Sequence, residues 1–129
     1  MGFWDNMKNG MVEQLPENWL QLDSIDTLQK MKEQSFERPV VVFKHSTSCG
    51  VSSMAKHQLE VDWDIATEEA FFYYLDLWTY RNISNAVAEE FKVVHQSPQI
   101  IILKDGEVVF TTSHHAIHLA GLKNALAQI

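Results

Sequence analysis

Apolar residues in this chain fall into short unbroken runs, separated by polar stretches in which they recur every third or fourth position. Pro39-Val40-Val41-Val42-Phe43 is a β-branched and aromatic run without alternation, which predicts a central strand covered on both faces. Phe71-Phe72-Tyr73-Tyr74-Leu75-Asp76-Leu77-Trp78 predicts a second buried strand, and Trp19-Leu20-Gln21-Leu22 a brief one. Between them the period lengthens. Ser24 is placed to cap a helix with Asp26 in its first turn and Ile25, Leu28 and Met31 on one face. After the polar stretch 44–48, Val51, Ala55 and Leu59 mark a helix beginning at about Cys49. Ser84 is expected to cap another, with Val87 and Phe91 inward.

The last third changes character. Gln99-Ile100-Ile101-Ile102-Leu103 and Val108-Val109-Phe110-Thr111 flank an Asp105-Gly106 pair that favours a type I′ turn, so these strands are expected to be antiparallel. Leu119, Leu122 and Leu126 then share the face of a final helix. The order β-α-β-α-β-α-β-β-α predicts an α/β fold, a central mixed sheet of four or five strands flanked by helices. Residues 1–18 show no clean periodicity and are expected to be an N-terminal arm of a single domain spanning 1–129.

Composition narrows the functions. The 129 residues are 46% hydrophobic, enough for one core without metals or disulfides. A net charge of -7 with only ten Lys and Arg argues against a nucleic-acid partner. No apolar run approaches the length of a membrane span, and the start, Met1-Gly2-Phe3-Trp4-Asp5-Asn6, lacks the flank of a signal peptide. A single Cys cannot form an internal disulfide, which suits a reducing cytoplasm.

That residue, Cys49, falls between a buried strand and a helix, in His45-Ser46-Thr47-Ser48-Cys49-Gly50-Val51-Ser52. Unpaired N–H groups and the dipole at a helix N-terminus stabilise a thiolate and bring the pKa to between about 3.5 and 7.5 in such settings. Ser52, one turn on, is expected to donate a hydrogen bond to the sulfur. A free Cys is often only a small buried hydrophobe, but the Ser and Thr residues around this one point to the surface. A phosphatase loop requires Arg where Ala55 stands, and a peroxiredoxin-type motif requires Pro where Val42 stands. A Cys-His pair with His45 or His95 stays open.

Ser97-Pro98 precedes the strand at 99–103, where a Pro on a trans bond is tolerated. The histidines of His114-His115-Ala116-Ile117-His118 lack an acidic or Cys partner close in sequence, so this stretch is read as a loop into the last helix rather than a metal site. The acidic stretch 62–69 is read as a solvated face with Trp63 and Ile65 inward.

Element order, a Cys at a strand-to-helix junction and Ser97-Pro98 before a hairpin resemble the thioredoxin fold over roughly residues 19–129. More closely, the 45–52 segment, Tyr73-Tyr74-Leu75-Asp76, Arg81-Asn82-Ile83-Ser84, Ala88-Glu89-Glu90-Phe91 and His95-Gln96-Ser97-Pro98-Gln99 resemble the bacillithiol-system YtxJ-like proteins, the monothiol bacilliredoxins. The resemblance implies that Cys49 attacks a protein–S–S–bacillithiol bond, frees the client thiol and takes bacillithiol onto itself. It implies a cis Ser97–Pro98 bond, with Ser48, Gly50, Ser52, Ser97 and Pro98 contacting substrate. S-thiolated client proteins and a low-molecular-weight thiol are the implied partners, with the small thiol as co-substrate and no cofactor. Ser48-Cys49-Gly50-Val51-Ser52 departs from the family's Thr-Cys-Pro-Ile-Ser and also resembles the Cys-Gly-Phe-Ser of monothiol glutaredoxins, which use glutathione and share iron-sulfur clusters. A glutaredoxin-like protein and a non-catalytic interaction module of the same fold are the alternatives.

Overall fold

Strand β2 (Val40–His45) has every residue buried, as expected of a strand with sheet neighbours on both sides and helices on both faces. It belongs to a computed structural model that describes residues 15–47 and 50–129. The expected arm at 1–18 therefore lies outside the described residues up to position 14. The other elements are β1 (Trp19–Gln21), α1 (Ile25–Gln34), α2 (Gly50–Glu60), β3 (Phe71–Asp76), α3 (Arg81–Glu90), β4 (Gln99–Lys104), β5 (Glu107–Ser113) and α4 (Leu119–Ala127). A 3-10 turn at His114–Ala116 joins β5 to α4.

The sheet order is β1-β3-β2-β4-β5. β1 and β2 run parallel to β3, while β4 is antiparallel to β2 and β5 to β4. The sheet is thus mixed and five-stranded, as the run-and-period pattern predicts. At the β4–β5 turn Asp105 and Gly106 both have positive φ (53° and 80°), as a type I′ turn requires. β5 carries a bulge: Ile102 faces Phe110 and Leu103 faces Val108, leaving Val109 unmatched.

Alternation along the strands sends side chains to two cores. Val41, Phe43, Phe72, Tyr74, Ile100 and Ile102 meet Ala55 and Leu59 of α2 and Leu122 and Ala125 of α4. Val40, Val42, Tyr73, Leu75, Ile101 and Leu103 meet Leu28 and Met31 of α1 and Ile83 and Val87 of α3. Each large apolar side chain so buried contributes roughly 1.5–3 kcal/mol. Ser24 caps α1, its hydroxyl accepting from Thr27 N–H. Trp63 and Ile65 turn inward as expected, with Trp63 Nε1 donating to Asn18 Oδ1 at 2.8 Å. No helix among the described residues is long and apolar enough to cross a membrane.

Four local expectations are corrected. Ile25 is exposed, and only Leu28 and Met31 of its predicted face are buried. β3 stops at Asp76, whose carboxylate accepts from Trp78 N–H, Thr79 N–H and the Thr79 hydroxyl and turns the chain outward, leaving Trp78 63% exposed. Ser84 is not a cap: the Tyr80 carbonyl accepts from Ile83 and Ser84 N–H, so α3 begins a turn earlier and Ser84 is buried within it. Lys44 and His45, assigned from sequence to a polar loop, are the fully buried end of β2.

Candidate active site

The three parallel strands β1, β3 and β2 end on one side of the sheet, and the β2–α2 junction opens there. Open α/β sheets place ligands at this end. β2 closes at His45 and α2 opens at Gly50. Ser48 and Cys49, the expected nucleophile and its neighbour, lie outside the described residues. In sequence, Cys49 stands directly before the first residue of an eleven-residue helix.

The flanks of this junction are fixed. Ser52 is fully buried, and its hydroxyl oxygen accepts from Ser46 N–H at 3.3 Å, tying the first turn of α2 back to the end of β2. Whether the Ser52 proton reaches sulfur involves Cys49 and so lies outside the described residues. Gly50 is exposed, and a Cβ there would meet nothing within 4 Å. Its backbone is therefore open to an approaching chain, with no steric demand for glycine.

Opposite, the Ser97–Pro98 bond is cis. Pro98 is buried and Ser97 half-buried, with the Ser97 hydroxyl sequestered and without a partner among the described residues. Gln99 clamps the loop from within. Its amide donates to Val94 O (3.0 Å) and Thr111 Oγ1 (3.3 Å), and its side-chain oxygen accepts from Gln96 N–H (3.3 Å). The Pro98 carbonyl accepts from His114 N–H at 3.1 Å, so the proline loop and the β5–α4 connection are joined.

Sequence reasoning missed Lys44. Its side chain leaves β2 on the α3 face and is fully buried, with Nζ 3.3 Å from the Ser84 carbonyl and 3.2 Å from His95 Nδ1. No carboxylate pairs with it among the described contacts, and burial pushes its pKa down to about 8. His95, two residues before Ser97, is held below the usual histidine range by burial first and then by the charges of Lys44 and Arg81. With Nδ1 accepting from Lys44, the neutral ring carries its proton on Nε2. His45 lies on the other side of β2, its ring against Phe43 and Tyr74 at 5.7 and 5.6 Å. The two histidines considered as partners of Cys49 therefore belong to opposite faces of the sheet. The only sequence signal for the Lys44 pair was a lysine directly after a buried run.

A family model described as monothiol bacilliredoxin BrxC matches residues 20–122. The chain belongs to the monothiol bacilliredoxin family. Among solved structures, this bacilliredoxin is similar to an assigned oxidoreductase with a thioredoxin fold, at 30% identity and TM-score 0.71, over 84% of this chain and 93% of that one. It also resembles the thioredoxin of Malassezia sympodialis (20% identity, TM-score 0.67, 90% and 95% covered) and that of Nicotiana alata (20%, 0.68, 90% and 96%). The fold is that of thioredoxin. The bacilliredoxin is a monothiol thiol-disulfide oxidoreductase, and its one cysteine is Cys49.

Proposed function

We propose that this bacilliredoxin removes bacillithiol from S-thiolated client proteins through Cys49. The observation that carries the reading is the family match across a chain whose lone Cys directly precedes the helix α2. The Cys49 thiolate attacks the bacillithiol sulfur of a client–S–S–bacillithiol bond. That bond breaks, the client leaves as a thiolate and takes a proton from solvent, and a Cys49–S–S–bacillithiol bond forms. No electrons are gained or lost overall, so the step needs no resident cofactor, and the small thiol acts as co-substrate. With no second Cys, an external thiol must attack the adduct to regenerate the enzyme.

The positive end of α2 favours the attacking thiolate, and the Ser97–Pro98 loop offers backbone for the client chain. Ser48 and Gly50 on one side and Ser97 and Pro98 on the other are the contacts assigned to substrate, while Ser52, expected from sequence to join them, is fully buried and instead ties α2 to the end of β2. The test is intact-mass analysis after mixing the protein with an S-bacillithiolated peptide. One bacillithiol should appear on the wild-type chain as the peptide is freed, and none on Cys49→Ser. Undiminished release by Cys49→Ser refutes the proposal.

A further inference from the structure

Beside the β2–α2 junction lies a cavity of about 290 Å³ between the start of α2 and the β5–α4 connection. Val51, Met54 and Gln58 form one wall, and His114, His115 and His118 the other. Among the described residues its lining contains three imidazoles and no carboxylate, although the chain as a whole carries a net charge of -7.

The histidine wall is fixed in place. His114 has φ 56°, a left-handed conformation uncommon for a residue with a side chain, and its N–H is bonded to the Pro98 carbonyl. His118 caps α4, with Nδ1 accepting from Gly121 N–H at 3.0 Å. That bond commits Nδ1 as acceptor, so the neutral ring of His118 carries its proton on Nε2 and is a donor there. On the facing wall Met54 is 61% exposed, an apolar and polarisable surface.

The geometry points to this groove as the subsite for the small thiol itself, with the imidazoles of His114, His115 and His118 receiving a carboxylate and Met54 and Val51 packing its carbon chain. The inference rests on the oxidoreductase reading above and deepens it: specificity is for an acidic low-molecular-weight thiol over a neutral one. Imidazoles suit this task because each offers a ring N–H to a carboxylate oxygen, as Nε2 of His118 does. The cavity suits a molecule of that size and is too small for a folded partner.

Two measurements test it. A cysteine peptide capped by disulfide to thioglycolate or to 2-mercaptoethanol is offered to the protein, with each rate normalised to that with free cysteine. Wild type should favour the acidic cap in kcat/KM by about tenfold, the scale of one charge-assisted hydrogen bond. In the double variant His114→Asn and His115→Gln that ratio should fall toward one, Asn being chosen because it tolerates positive φ. Because the readout is a ratio within one protein, partial loss of folded material does not alter it. Separately, methylthioacetate, which has no thiol to transfer, should shift the amide resonances of Met54, His114 and His115 in wild type. If neither cap is removed but an S-bacillithiolated peptide is, the proposed function stands and the titration decides the groove; if none of the three is removed, the proposed function fails while the titration still decides the groove. A preference that survives in the double variant, or a titration that leaves those amides unmoved, overturns the subsite.

Discussion

Lys44→Met replaces a buried cation by an apolar side chain of similar length, and the effect depends on pH in a way that can be worked out. Lys44 has a pKa of about 8 in the folded protein against 10.5 in the unfolded chain. Below pH 8 both states hold the proton and the charge stays buried at full cost. Between pH 8 and 10.5 the unfolded chain binds more protons than the folded one, so wild-type stability rises with pH. From pH 7 to 9.5 the gain from this group has a ceiling of about 2 kcal/mol. Relaxation and water penetration around the buried ammonium bring it nearer to about 1 kcal/mol. The variant lacks this gain, so its stability relative to wild type should fall by that amount over the same interval. Urea unfolding of both proteins at pH 7 and pH 9.5, followed by tryptophan fluorescence with reductant present, measures it. Other titrating groups largely cancel between the two proteins. A difference independent of pH would mean that Lys44 titrates as an ordinary lysine and that its burial carries no charge penalty.

In the same variant His95 loses one of two neighbouring charges, so its titration midpoint should move up toward the usual histidine value, with burial and the Arg81 charge still holding it somewhat below; NMR titration of the ring protons reads this. Ser52→Ala removes the acceptor of the Ser46 N–H and should destabilise the protein by about 1 kcal/mol in chemical denaturation, with no pH dependence. Gly106→Ala places a Cβ at φ 80°, 2.9 Å from the Phe36 ring. Because Phe36 is exposed and its ring can swing away, the cost should be that of the backbone alone, about 1–2 kcal/mol, read as a lowered Tm.

Where a segment's local chemistry and its tertiary surroundings agree, its structure was legible in the sequence. Val40 to Phe43 are apolar and covered on both faces, Ser24 caps a helix from within its own turn, and Asp105-Gly106 sets a hairpin without outside help. The misreadings share a cause. Lys44 looked like the start of a loop because its partners, Ser84 and His95, are 40 and 51 residues away. Ser84 looked like a cap because the Asp76 carboxylate that organises the preceding turn gives no periodic signal. At the site, Ser97-Pro98 stood out as a dipeptide before a strand. The histidines at 114, 115 and 118 were visible as a cluster, but the wall facing them comes from residues some sixty positions earlier.

The bulge at Val109 has a bearing on self-association. β5 is the outer strand on its side of the sheet, and outer strands present a row of free N–H and C=O groups on which another chain can polymerise. The unmatched residue breaks the spacing of that row and bends the strand away from flatness. An incoming strand meets a regular ladder on only one side of the bulge, over too few residues to hold. The same residue that disturbs the internal pairing of the hairpin therefore guards the open border of the sheet, and straightening it by deleting Val109 would create a template for fibril-like growth.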